Sequence, residues 1–309
     1  MGEPIKTPFT RRQLLSGGVV AGIATMFSPL AMIGCGEEGV PTPPIPRDVP
    51  ALLRTLTLGE SFLIADPRTG RFYRLDQSAR TVSQLNADGT PRWTFGATGD
   101  PAMQLNFPTD IAPRPDGSLF VVDRGNQRIV QLSADGAWVR AIEGLGSPRT
   151  AVVDAEGVLW AIDSTNHQVR SFDANGTSGR LIGEAGQGST QLNGPRGLAL
   201  DTAGNLHIVD AGNARVQVYS RSGAHVRSYG AYGRDAGMFL APRSVAVAPN
   251  GLCYVADPTA GAVEVFESSG RALARLSGLS VAGRSAVPLD VSISPNGLVQ
   301  VRLHAPILS

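Results

Sequence analysis

Short apolar runs alternate with polar turns along most of the chain, and one arrangement recurs. Its clearest copies are residues 118–136 (SLFVVDRGNQRIVQLSADG) and 205–223 (NLHIVDAGNARVQVYSRSG). Each runs from a small or polar residue through an apolar run ending in Asp. A short polar loop, a second apolar run and a turn closing on Gly follow. The Asp recurs at Asp76, Asp123, Asp163, Asp210 and Asp257, in steps of 47, 40, 47 and 47 residues. A Gly stands 13 positions after each: Gly89, Gly136, Gly176, Gly223 and Gly270. Another precedes each first run, at Gly70, Gly117, Gly157, Gly204 and Gly251, with a sixth at Gly297. Self-similarity at a fixed period marks a repeat architecture.

Each unit holds four short strand candidates; in the second they are 110–112, 119–122, 128–132 and 137–142. Asp116-Gly117, Asp135-Gly136, Asn175-Gly176 and Asn250-Gly251 read as hairpin turns, because Gly accepts the positive φ such turns need. Runs such as 119–122 (LFVV) are apolar on both faces, as in strands covered on both sides. Four-stranded sheets stacked around an axis satisfy this pattern and hide most sheet edges. The spacing predicts an all-β, six-bladed β-propeller over residues 51–309. The sixth copy, 297–303, starts as the others do. Residues 51–58 (ALLRTLTL), which lack a turn partner, are predicted to complete that last blade and close the ring.

The pattern Pro-x-x-apolar, Asp/Asn-Gly-x-apolar, Val-Asp-x-Gly-Asn-x-Arg resembles the NHL repeat. The best matches are 108–129 and 195–216, and the resemblance covers roughly residues 50–309. The full Asp-x-Gly-Asn-x-Arg loop stands only at 123–128 and 210–215. The third unit reads Asp163-Ser-Thr-Asn166-His-Gln168, and the fifth Asp257-Pro-Thr-Ala-Gly-Ala262. The resemblance implies an NHL-type six-bladed propeller. Such propellers include RNA binders and an amidating lyase with histidine-bound zinc; related lactonase-like propellers hold calcium through Glu, Asn and Asp.

Residues 1–35 fall outside the pattern. Thr10-Arg11-Arg12-Gln13-Leu14-Leu15 resembles a twin-arginine export motif, and residues 14–33 form an uncharged stretch containing Gly17, Gly18 and Gly22. Met32-Ile33-Gly34-Cys35 resembles a lipobox, which implies lipidation at Cys35. About 20 apolar residues also suffice for a plain membrane span. Paired arginines, glycines in the apolar region and a Cys at its end favour a processed signal. Residues 36–50 hold five prolines and read as an extended tether. The expectation is a globular head held by a lipid anchor on the extracytoplasmic, periplasmic face of a membrane.

Charge is balanced at 27 basic and 26 acidic residues, which provides no electrostatic footprint for nucleic acid. The cysteines are Cys35 and Cys253; with Cys35 lipidated, Cys253 is alone and reads as core packing.

In such a ring, ligands bind where loops converge at one mouth of the channel. Three inter-blade loops share one length, 96–108, 183–195 and 230–242, whereas the loop between blades two and three is only 144–148. The short loop predicts a notch flanked by 124–128 and 164–168, read as a neutral deletion or as an access groove. After each loop's proline stand Thr109, Arg149, Arg196, Arg243 and Leu289. Three arginines at equivalent positions of consecutive blades suit carboxylate or phosphate, because the planar guanidinium binds oxygens bidentately. Asp110 and Asp290, one position later, could instead neutralise them. The repeated aspartates look like a metal ring but read better as strand-end acceptors for donors in the following loop. Of His167, His207, His225 and His304, only His167 falls in a mouth loop, and His207 reads as a hydrogen-bonded core residue.

No catalytic set and no zinc site can be assembled, and no cofactor is predicted; calcium or zinc, held by Asp110, Asp290 and Glu60, is the alternative. The chain is therefore expected to be a binding or scaffolding module for a protein, peptide or glycan partner, working around Arg149, Arg196 and Arg243. The alternative is a metal-dependent lyase or lactonase-like hydrolase at the channel mouth.

Overall fold

The computed structural model describes residues 61–304 except 67–68, 97–99, 282–283, 294–296 and 298. The export motif, Cys35, the proline-rich tether, the closing segment 51–58 and Glu60 lie outside the described residues.

The chain is all-β, and among the described residues it forms five four-stranded antiparallel sheets followed by shorter pairings. The first sheet holds β1 (Ser61–Ala65), β2 (Phe72–Asp76), β3 (Thr81–Leu85) and β4 (Pro91–Phe95). The second holds β5 (Pro108–Pro113), β6 (Leu119–Asp123), β7 (Arg128–Leu132) and β8 (Trp138–Ile142). The third runs through β9 (Pro148–Val153), β10 (Leu159–Asp163), β11 (Gln168–Phe172) and β12 (Ser178–Ile182). The fourth comprises β13 (Pro195–Leu200), β14 (Leu206–Asp210), β15 (Arg215–Tyr219) and β16 (His225–Tyr229). The fifth comprises β17 (Ser244–Val247), β18 (Cys253–Asp257), β19 (Ala262–Phe266) and β20 (Ala272–Leu276). A small hairpin of β21 (Ser280–Val281) and β22 (Arg284–Ser285) precedes the paired β23 (Val287–Ile293) and β24 (Val299–His304).

The strands form where the apolar runs lie, and the turns where Gly allows them. Gly117, Gly136, Gly204 and Gly223 all take positive φ, as hairpin turns at these positions require. The second strands β6, β10, β14 and β18 are buried along their whole length. Their two faces serve two different apolar layers. One layer joins Tyr73 and Leu75 of the first sheet to Leu119 and Val121 of the second. The next joins Phe120 and Ile129 to Leu159 and Phe172 of the third. The series continues through Trp160 with Leu206, Val216 with Val255, and Tyr254 with Val299. Among the described residues the core is thus five inter-sheet layers, and each large side chain buried there contributes roughly 1.5–3 kcal/mol by leaving water. Among the described residues five four-stranded sheets and the strand pair β23–β24 stack consecutively in this way.

The repeated aspartates do more than the turn role expected of them. Asp123, Asp163, Asp210 and Asp257 are fully buried. Each reaches back 17 residues to the loop that precedes its own blade. Asp123 Oδ1 accepts the Asn106 N–H at 2.6 Å, Asp163 Oδ1 the Gly146 N–H at 3.0 Å, Asp210 Oδ1 the Asn193 N–H at 2.6 Å and Asp257 Oδ2 the Leu240 N–H at 2.6 Å. The residue just before each donor is a buried apolar plug: Leu105, Leu145, Leu192 and Phe239. The aspartates therefore pin the inter-blade loops above their blades. The following loop is served as expected in part, with Asp76 accepting from Ala79 N–H, Asp163 from Asn166 N–H and Asp257 from Ala260 N–H.

The short loop 144–148 keeps both its plug, Leu145, and the bond from Gly146 to Asp163. What it lacks is the outward excursion of its longer counterparts. A depression of about 400 Å³ lies beside it, lined by Gly125, Asn126 and Gln127 on one side and Glu143, Gly144 and Gly146 on the other. The expected 124–128 flank is present; the opposite wall is the short loop itself, with Thr165 packed beneath Gly146.

Candidate functional site

The innermost strands stand side by side and are tied to each other by side chains. Thr109 Oγ1 donates to the Arg149 carbonyl at 2.9 Å, and Thr150 Oγ1 to the Arg196 carbonyl at 3.0 Å. Between β13 and β17 the link is close backbone approach: a Cβ on Gly197 would lie 2.8 Å from the Arg243 carbonyl oxygen and 2.9 Å from Ser244 Cα. Ser244 Oγ then donates to the Asp290 carboxylate on β23. These ties place Arg149, Arg196 and Arg243 at successive positions around one end of the channel.

The arginines feel one another there. Burial, followed by the positive charges of Arg124, Arg196 and Arg243, pulls Arg149 down to about 10. Arg243 is lowered by burial and by Arg302, Arg196 and Arg124, against an opposing pull from Asp290. Two further guanidiniums thus belong to the cluster. Arg124 comes from the loop after β6, where its Nε donates to Ser147 Oγ at 3.0 Å. Arg302 comes from β24. No carboxylate of the described residues forms an ion pair with Arg149, Arg196 or Arg243. A pocket of about 310 Å³ opens between Arg149, Arg196, Ser164, Gly212 and Ala241.

The two acids are placed otherwise than a neutralising ring requires. Asp290 lies opposite Arg302 and pairs with it at 3.6 Å. Asp110 accepts backbone N–H groups, from Ile111 at 2.8 Å and Ala151 at 3.1 Å. Residue 110 as a whole keeps some exposure, but its carboxyl is enclosed. Desolvation, with a smaller push from Asp290, raises Asp110 to about 8, so it is largely neutral at pH 7. The mouth therefore carries a surplus of positive charge.

His167 lies in the loop after β10 with φ of 55°, and its Nδ1 accepts the Gly194 N–H at 2.8 Å. His207 is buried between Tyr229 (3.1 Å), Asp201 (3.5 Å) and Cys253 (3.8 Å), and burial lowers it to about 4. Cys253 is itself buried, with its thiol pushed up by desolvation.

The described part of this mouth does not fit a resident calcium or zinc ion; Glu60, the third acid named for it, lies outside the described residues. Among the described residues, no three of His, Cys, Asp and Glu gather to hold a metal. The two acids present are already engaged by backbone, Ser244 and Arg302, and the surrounding guanidiniums repel a cation.

This arrangement of stacked sheets and converging loops is that of a β-propeller, and one stretch of the chain matches the NHL repeat. The family profile described as the NHL repeat matches residues 192–219. The RING finger protein nhl-1 of Caenorhabditis elegans is 30% identical over 81 residues, which is 26% of this chain and 8% of that protein. Mouse NHL repeat-containing protein 3 is 29% identical over 108 residues, 30% of this chain and 31% of that protein. The chain thus spans less than a third of either relative. Among solved structures, a streptogramin B lyase aligns with TM-score 0.62 and 15% identity, over 78% of this chain and 75% of that one. A gluconolactonase of Xanthomonas campestris aligns with TM-score 0.57 and 18% identity, over 81% and 87%. A chain of a nidogen/laminin complex aligns with TM-score 0.56 and 21% identity, over 70% and 78%. At these identities the likeness is one of fold.

Proposed function

We propose that this protein is a closed six-bladed NHL-type propeller that captures anionic groups of a protein, peptide or glycan partner at its arginine-lined mouth. It is exported through the motif at Arg11 and Arg12. A lipid on Cys35 and the tether 36–50 hold it on the extracytoplasmic face of a membrane. The observation that carries the binding role is the cluster of Arg149, Arg196 and Arg243, converging without carboxylate partners among the described residues. Guanidinium groups held close against their own repulsion are poised for an anion, which relieves that repulsion on binding. Neighbouring charge surplus also speeds encounter with anionic surfaces. Cross-linking in intact cells tests the reading. The wild-type chain should yield a defined adduct, and Arg149→Glu combined with Arg196→Glu should abolish it while leaving export and folding intact. An adduct formed at full strength by the double variant contradicts the arginine-mouth role.

A second reading rests on Asp110. A neutral, enclosed carboxyl beside guanidiniums has the makings of a general acid, as in a metal-free lyase or hydrolase. Turnover of lactones or amidated peptides, lost in Asp110→Asn, would favour it.

A further inference from the structure

The aromatic ring of Phe107 is out of place for a loop residue of this kind. It precedes the proline that opens β5 and has φ of 51°; the residues at the same point before β9 and β13 are Ser147, φ 50°, and Gly194, φ 57°. The left-handed backbone recurs before β9 and β13, where small residues occupy it. Here a phenylalanine does, with 46% of its surface in solvent. A large apolar side chain held exposed in a conformation that disfavours it points to a role in contact with a ligand.

Its surroundings say what that ligand carries. The Arg124 guanidinium lies over the ring, 5.8 Å from its centroid, and also bonds Ser147. Arg124 is one of the charges felt by Arg149 and Arg243. Next in sequence after Arg124 come Gly125, Asn126 and Gln127, which with Glu143, Gly144, Leu145 and Gly146 line the depression beside the short loop 144–148. Mouth, aromatic ring and polar groove are thus adjacent, with Arg124 at their junction. Its volume, about 400 Å³, falls within the roughly 300–1,000 Å³ of small-molecule sites.

From this juxtaposition we infer that the site takes an acidic glycan, a chain of uronic-acid-type sugars, entering along the groove between blades two and three. The inference rests on the anion-binding reading above. A sugar carboxylate meets the arginines. The apolar face of the adjoining pyranose ring lies on Phe107. Hydroxyls of the next unit meet Gln127, Glu143 and the side-chain oxygen of Asn126, whose amide nitrogen donates to Gln104 and Asp123. A groove lined mostly by glycines, amides and a carboxylate, with Leu145 as its one apolar side chain, suits a hydroxyl-rich chain better than a run of apolar peptide side chains.

Calorimetric titration of the full chain in detergent, with three probes, tests this: inorganic sulfate, monomeric galacturonate and its α-1,4-linked trimer. The trimer should bind at least about tenfold more tightly than the monomer. Phe107→Asn, whose side chain tolerates positive φ, should erase that advantage and leave sulfate affinity unchanged, and Phe107→Trp should restore it. A trimer that binds no better than the monomer, or an advantage that survives Phe107→Asn, overturns the glycan site while sulfate binding leaves the anion mouth standing. An acidic peptide such as Glu-Glu-Phe-Glu that outcompetes the trimer overturns it in favour of a peptide. Failure to bind even sulfate would remove the underlying anion reading as well.

Discussion

Asp290 on β23 and Arg302 on β24 face each other across the last strand pair, with 3.6 Å between Oδ2 and Nη2. This pairing engages the acid nearest Arg243, so that Asp290 opposes the lowering of Arg243 but forms its ion pair with Arg302. Asp290→Asn removes a negative charge from the rim. A unit charge a few ångströms from a bound anion is worth about 1 kcal/mol even in a water-like dielectric, so anion affinity should rise roughly fivefold. Titration with sulfate measures it; unchanged or weaker binding would show that Asp290 does not oppose the site.

The loop-pinning aspartates should rank by burial. Asp123 is fully buried and receives the Asn106 N–H, the Asn126 amide and Arg128 Nε at 2.8 Å. Asp123→Ala leaves the partly buried Arg128 without its carboxylate and the loop without its anchor, and should cost about 3–5 kcal/mol in denaturant unfolding. Asp76, only partly buried, accepts the Ala79 N–H. Asp76→Ala should cost about 0.5–2 kcal/mol. Equal losses would contradict the pinning role.

Asp110 sets the expected pH response. Its carboxyl is raised to about 8 in the folded chain, above its ordinary value of 3.8. Between those values the folded state holds a proton that the unfolded state has released. This contribution to stability is therefore full at low pH and fades as pH rises toward 8. The same ionisation adds a negative charge beside the arginines. Anion affinity should hold steady up to about pH 7 and fall between about 7 and 9. Asp110→Asn should remove this fall. A fall that persists in the variant would assign it to another group.

Gly197 follows Arg196 and lets β13 approach β17. Gly197→Ala forces a methyl to within 2.9 Å of Ser244 Cα and Val209 Cγ2. The overpacking should cost about 1–3 kcal/mol. It should also spread Arg196 from Arg243 and weaken sulfate binding more than a surface substitution of the same thermal cost. Loss of stability with unaltered affinity would separate the strand contact from the site.

The strands and turns were legible because both signals are local: an apolar run makes a strand, and Asp-Gly or Asn-Gly makes its turn. Strand 128–132 matches its sequence reading residue for residue, and 137–142 differs only at its first position. The alignment of Arg149, Arg196 and Arg243 was legible from the period alone. Arg124 and Arg302 were not read as members of the cluster, since one sits in a loop and the other in the irregular last unit, where the repeat offers no register. Nor was the reach of Asp123 back to Asn106, a contact set by how a loop folds over its blade. One trace of it does lie in the sequence. Where the loop residue is Asn106 or Asn193, the facing residue is Gly125 or Gly212, whose Cβ would collide with it. In the third unit the sizes are exchanged, Gly146 against Thr165. The departure from Asp-x-Gly-Asn is thus compensated across the contact. Phe107 broke no local rule visible in the sequence, because its positive φ appears only in the fold.

The central claim is that the converging guanidiniums form an anion site, and its most direct test is calorimetric titration of the full chain with citrate at pH 7. A single site per chain is expected, weakened by added salt and abolished by Arg149→Glu with Arg196→Glu in a variant that still unfolds cooperatively. Equal citrate affinity in the wild-type chain and the folded double variant would contradict it.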